Sequence, residues 1–315
     1  MRLRSKFALI LLAGAPIALV ANPARVNAQP LTVTSGVAMH FDAADSSTIF
    51  DSAGVNPGGA GFNAETVSEW KDKSSNANHM NSDGSDPSYV RGGMPAVRFV
   101  DRNTLRSGTT GLPTTEARTF FFVGTQTDNT GGSNTEEWYF SYGDAGPLTW
   151  MAFRTDDESG GFQDPTPTPV GGDNIYRNLV TTGGNESLKG GDVYDVTSPP
   201  GAKIIIEYSF DGESTGGAFR QYINGVLDHE IFQDGGLNTN LSGGPAALGI
   251  GKQAAGSEAN WDMNELILYN KVLTAGERSQ VYGYLTAKWI PEPSSMMLLL
   301  AGMSLCFFRR RRATV

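Results

Sequence analysis

The chain has 315 residues, with 24 Lys+Arg against 33 Asp+Glu, 39 Gly and a single Cys. Glycine at roughly 12%, against about 7% in average proteins, argues for many turns and against a helical bundle. The net charge of −9 argues against a nucleic-acid partner, because phosphate binding needs a basic face. Eight of the basic residues and one acid lie in the two ends, which leaves the middle at −16.

In chain order, Arg2, Arg4 and Lys6 come first, followed by an apolar run from Phe7 to Ala21 interrupted by Pro16. Val26-Asn27-Ala28 then places small or apolar residues at the −3 and −1 positions of a cleavage site. This is the layout of a secretory signal peptide over residues 1–28, cut between Ala28 and Gln29. The run is short for a membrane anchor.

Residues 29–290 read as one domain. Short β-branched or aromatic stretches bounded by turn residues predict strands at Val37 to Asp42, Val67 to Lys71, Ala96 to Val100, Arg118 to Thr125, Glu137 to Tyr142 and Leu148 to Arg154. Further strands are expected at Lys203 to Phe210, Ala218 to Ile223, Val226 to Ile231, Ala246 to Gly251 and Asn264 to Tyr269. Asn224-Gly225 supplies two residues tolerant of positive φ, as a type I′ hairpin turn requires. The isoleucines at 204–206 and the phenylalanines at 120–122 leave no polar face, so both strands should be covered on both sides. The stretch 155–201 is the least regular, with short strands expected near Ile175 to Val180 and Val193 to Val196. Thr274 with Glu277 three residues on forms a capping-box spacing, and Val281, Leu285 and Trp289 share one helical face. A helix is therefore expected to end at Pro291. The fold class is all-β: a jelly-roll sandwich of two antiparallel sheets with one C-terminal helix.

The tail runs Pro291-Glu292-Pro293, then an apolar stretch from Met296 to Phe308, then Arg309, Arg310, Arg311 and Arg312. As a helix the apolar stretch reaches about 20 Å, short of a bilayer core of about 30 Å. The arginines would stay cytoplasmic while the body is outside. "PEPSSMMLLLAGMSLCFFRRRR" resembles the PEP-CTERM sorting signal. That resemblance implies processing by an exosortase, transient anchoring in the inner membrane of a Gram-negative-type bacterium, and a mature protein on the surface or in the exopolysaccharide matrix. The only cysteine, Cys306, lies in this tail, so a disulfide framework, Cys-ligated zinc and Cys nucleophiles are excluded from the body.

Pieces spread over the body, "MHFDAADSSTIFD", "VSEWKDKSSNANHM", "GGMPAVRF", "INGVLDHE" and "MNELILYNKVLTAGERSQVYGYLTAKW", resemble the concanavalin A-like, laminin-G-like domains of bacterial surface proteins. "VDRNTL" departs from the family's usual continuation after "AVRF". A cation site attached to that turn is therefore not implied.

Chemistry is sparse. His40 and His229 fall on predicted strands and His79 in a polar turn, with no Gly-x-Ser-x-Gly or His-Glu-x-x-His pattern. Each reads as structural. Asp228 and Glu230 alternate around His229, as two acids on one strand face would, and are the fallback glycosidase pair. Their bland alternative is a solvated edge strand. Structural Ca²⁺ fits the acidic turns better. Its candidate ligands are Asn81, Asp83 and Asp86 in one segment and Asp156, Asp157 and Glu158 in another. Sugar binding would use an exposed aromatic beside amides or carboxylates, with Trp138, Tyr142 and Trp261 as candidates and core packing as their alternative. The leading expectation is a non-catalytic module that binds exopolysaccharide, another surface glycan or a protein. The rivals are a polysaccharide-active hydrolase or lyase and a purely structural matrix protein.

Overall fold

The computed structural model describes residues 30–100, 103–127, 137–143, 151–157, 174–182, 185–186, 203–212, 218–232, 248–251 and 260–290. The signal peptide, the Ala28–Gln29 cleavage site, the expected strand at 193–196 and the tail from Pro291 to Arg312 lie outside these residues. Among the described residues, no helix is long and apolar enough to cross a membrane.

In chain order the strands are β1 (Val37–Asp42), β2 (Ile49–Asp51), β3 (Val67–Trp70), β4 (Met80–Ser82), β5 (Ser88–Val90), β6 (Ala96–Phe99), β7 (Thr104–Ser107), β8 (Arg118–Gln126) and β9 (Glu137–Tyr142). There follow β10 (Met151–Asp157), β11 (Asn174–Thr182), β12 (Asn185–Glu186), β13 (Lys203–Phe210), β14 (Ala218–Ile223), β15 (Val226–Phe232), β16 (Leu248–Gly251) and β17 (Trp261–Tyr269), then the helix α1 (Ala275–Trp289). They form two antiparallel sheets. One runs β15-β14-β13-β8-β17-β6-β5, with β1 also paired to β17, and the other runs β12-β11-β10-β9-β16-β7-β4-β3-β2.

The main core lies between the sheets. Phe41, Phe120, Phe122, Tyr208, Leu266 and Leu268 from the first sheet meet Trp70, Phe140, Tyr142 and Ile250 from the second. The rings interlock edge to face: Phe120 and Tyr142 lie 5.2 Å apart at 78°. A second cluster covers the outer face of the first sheet, where Phe121, Val123, Ile205 and Ile267 receive Val281, Leu285 and Trp289 of α1. This is why the triple-isoleucine and triple-phenylalanine strands carry no polar face. Their odd positions face the helix and their even positions face the other sheet.

The Asn224-Gly225 turn has φ of 49° and 84°, as the hairpin expectation required. α1 carries the expected capping box, with Thr274 accepting from the Glu277 N–H and Glu277 accepting from the Thr274 N–H. The short strands β2, β4, β5 and β7 were not anticipated from the sequence.

Candidate functional site

A β-bulge builds a buried charged site beneath α1. Trp261 and Met263 of β17 face the inter-sheet core. Strict alternation would put residue 265 there too. The register shifts between Met263 and Glu265, and Leu266 takes the inward position instead. Glu265 therefore turns outward beneath α1, with a fully buried carboxylate.

Four donors meet it. His40 Nε2 lies 2.7 Å from Oε1, and the Tyr284 hydroxyl donates to the same oxygen at 2.7 Å. Lys288 Nζ donates to Oε2 at 2.8 Å, and the Trp289 indole N–H also donates to Oε2. Lys288 Nζ reaches Asp42 Oδ1 at 2.7 Å as well. Asp42 Oδ2 receives Lys73 Nζ at 3.0 Å, and Lys73 continues to Asp45 at 2.9 Å. Burial pushes the Glu265 carboxyl up, but the His40 bond and the Lys288 charge more than reverse this and hold it at about 2. Burial, the Glu265 charge and the Asp42 charge push the Tyr284 hydroxyl up, so it stays a donor.

His40, Asp42 and Glu265 are the one metal-ligand cluster among the described residues, with ligand atoms within 4.8 Å of one another. The fit to a metal fails on Lys288. Its ammonium bonds both carboxylates, with a side chain only 6% exposed. A divalent cation would have to displace a buried lysine. The cluster is a charge cage with an internal cation, and it joins β1, β17, the loop after β3 and the last turn of α1.

The sequence placed all of these residues inside quoted motifs: Asp42 in "MHFDAADS", Lys73 in "WKDKS", Glu265 in "NELILY" and Lys288 in "YLTAKW". It did not show that they meet. Asp72 in the same "WKDKS" segment orders its loop. Its carboxylate accepts from the backbone N–H groups of His40, Ser74 and Asn78. The Asp72 N–H donates to His79 Nδ1 at 3.1 Å. His40 is therefore part of the cage and His79 part of a loop clasp.

The glycosidase fallback does not share one face. A bulge falls between the Gln221–His229 and Tyr222–Leu227 pairs, at Asp228. Asp228 turns to Gln221 at 2.8 Å, on the side of the core residues Phe219 and Ile223. Glu230 pairs with Arg220 at 2.7 Å on the other side, and Arg220 also holds Asp211 at 2.6 Å. The expected alternation is corrected by one inserted residue.

Of the calcium candidates, Asp83 accepts from Thr104 Oγ1 and from Arg106 Nε at 3.3 Å. The Asp86 carbonyl accepts from Asn103 at 2.8 Å. Asn81 is exposed on β4. Asp156 and Asp157 are placed only by their backbone, on β10 opposite Ile175 and Asn174 of β11. Glu158 lies outside the described residues.

Tyr142 is fully buried and Trp261 is 2% exposed, so neither ring faces solvent for a sugar. That corrects two of the three aromatic candidates. Trp138 is placed only by its backbone, on β9 opposite Arg154. A different aromatic does lie outside the core. Phe50, half-buried on β2, pairs with Glu69 on β3, which pairs with Asn81 on β4, which pairs with Arg106 on β7. This row occupies the outer face of the nine-stranded sheet, and Lys71 Nζ sits 3.9 Å from the Phe50 ring centroid. Phe50 stands next to Ile49 in "STIFD", where adjacent apolar residues gave no clue to which one faces out.

Residues 290–312 match the PEP-CTERM protein-sorting motif. The motif marks a secreted, surface-held protein of Gram-negative bacteria. The comparison with curated proteins returns no match. Among solved structures the chain is similar to a GH54 α-L-arabinofuranosidase mutant soaked with 4-nitrophenyl α-L-arabinofuranoside, with TM-score 0.51 and 12% identity over 80% of this chain and 63% of that one. It is also similar to an arabinofuranosidase complexed with arabinofuranosyl-α-1,2-xylobiose, with TM-score 0.50 and 12% identity over 76% and 58%. A third is described as a receptor binding domain, with TM-score 0.50 and 9% identity over 79% and 51%. The chain thus spans between 51% and 63% of the length of these proteins. At such identities the likeness shows the fold alone: a β-sandwich, here carrying a sorting tail.

Proposed function

We propose that this is a non-catalytic, laminin-G-like glycan-binding module that an exosortase delivers to the cell surface or exopolysaccharide matrix. The observation that carries the reading is the sorting motif beginning where the folded sandwich ends. Two features support the binding role. The best acid pairs among the described residues are engaged: Asp42 and Glu265 by Lys288, and Glu230 by Arg220. The outer face of the nine-stranded sheet offers an aromatic beside a carboxylate and an amide, in Phe50, Glu69 and Asn81. A sugar ring uses that combination, displacing Lys71 from the Phe50 ring to seat its apolar face there and setting its hydroxyls on the polar groups.

The test uses residues 29–290 with the producing cell's own exopolysaccharide, with calcium and with chelator, and assays the same samples for released sugar. Saturable binding without release is expected. Phe50→Ala and Asn81→Ala should each weaken it about five-fold or more while the protein still melts cooperatively, the size of one lost stacking or hydrogen-bonding contact. Sugar release would favour the hydrolase, and self-association with neither binding nor release would favour a structural matrix role. Loss of binding in chelator would add a structural Ca²⁺, held elsewhere than in the Lys288 cage.

A further inference from the structure

The sorting motif has no linker. Its match starts at Ile290, the C-cap residue of α1, whose N–H donates to the Thr286 carbonyl at 2.9 Å. Ile290 packs against the cluster beneath α1, and Trp289 before it is 2% exposed. Lys288 is held by both carboxylates of the cage. The chain is therefore pinned up to the residue that precedes Pro291. Fully extended, Pro291 to Pro293 reach only about 10 Å.

An enzyme acting on a peptide commonly takes it extended, adding it as a strand, and occupies residues on both sides of its motif. Here the residues upstream of the motif are the last helical turn. They cannot enter a cleft while Lys288 and Trp289 remain docked. Pro291 does not itself loosen that turn. It only prevents the helix from continuing, and Ile290 has already left the helical conformation, with φ of −116° and ψ of 81°.

We propose that Lys288 and Trp289 are positioning residues for the sorting step: the sorting enzyme acts on the fraction of chains whose last α1 turn has opened from the cage. This rests on reading the tail as a processed sorting signal. The opening is a local unfolding event whose population the cage sets. His40 and Asp42 come from β1 and Glu265 from β17, so the turn is held by both ends of the domain sequence.

The experiment is a pulse-chase of the full-length chain in the producing cell, following loss of the segment after Pro293. One variant carries a six-residue Gly-Ser insertion after Ile290, which gives the enzyme extended chain while leaving the body and its cage untouched. It should be processed about ten-fold faster than the native chain, the factor withheld by an opening cost of ~1.4 kcal/mol. A second variant combines Lys288→Met with Glu265→Gln, removing the cation and its main partner together. It should accelerate the native chain and add nothing once the insertion is present. That dependence separates a positioning role from general destabilisation, which would act in both backgrounds. Equal or slower processing of the insertion variant overturns the proposal. Retention of Arg309 to Arg312 in every variant would instead sink the sorting reading, and the positioning role with it.

Discussion

Lys288 bridges Asp42 and Glu265 as their shared buried cation. Removing it leaves two buried carboxylates without their shared cation. Lys288→Met should destabilise the body by about 3–5 kcal/mol in denaturant titration, and adding Glu265→Gln should recover part of that loss. A loss under about 1 kcal/mol would mean that the cage is solvated in solution. The carboxyl of Glu265 is depressed from its ordinary value to about 2, so its contribution is present at neutral pH and fades as pH falls from about 4.5 towards 2.

Glu207 has the opposite sign. It is 1% exposed on β13 under α1, with Arg278 at 3.8 Å from its Oε1. Burial, only partly offset by the Arg278 charge, raises it to about 7. The folded state therefore holds its proton more tightly than the unfolded chain. Stability is full below about pH 4.5 and falls as pH rises through 7, by roughly 3 kcal/mol. Glu207→Gln should flatten that decline between pH 5 and 8, and a parallel decline in the variant would assign it to another group.

At the scale of elements, α1 and two glycines give a paired test. Gly283 lies in α1 with open space where a Cβ would go, so Gly283→Ala should stabilise by about 0.5–1 kcal/mol. Gly251 ends β16 with φ of +89°, and a Cβ there would run into the Asn103 carbonyl oxygen. Gly251→Ala should cost about 2 kcal/mol or more, from the backbone conformation and the clash together. Thermal melts of the two variants should move in opposite directions.

The longer elements were legible because local chemistry specifies them. The Thr274–Glu277 capping box, the Asn224-Gly225 turn and the isoleucine run each carry their own signal. β2, β4, β5 and β7 were not legible. They are three or four residues long, and pairing with neighbours holds them, as when Asn81 of β4 sits between Glu69 and Arg106. The bulges at Asn264 and Asp228 also escaped notice. Each moves an acid to the face opposite the one that alternation predicts. One inserted residue thereby creates the Glu265 cage and separates Asp228 from Glu230.

Across the described residues, α1 closes the outer face of one sheet, and no α-helix among them lies on the outer face of the other. Deleting residues 274–290 should expose Phe121, Ile205 and Ile267 and yield aggregated protein, whereas a soluble, cooperatively melting product would show that the sandwich needs no helix. The sequence by itself determined the sorting motif, the all-β class, the absence of cysteine from the body and the terminal helix. Those features are written in local order: charge beside apolar runs, caps, turns and periodicity. Only the tertiary structure decided which aromatics are buried, which acids are engaged, and that Lys288 meets Asp42, more than 240 positions away in β1. Contacts of that span depend on strand pairing and on bulge positions, and a shift of one residue reverses every side chain's face.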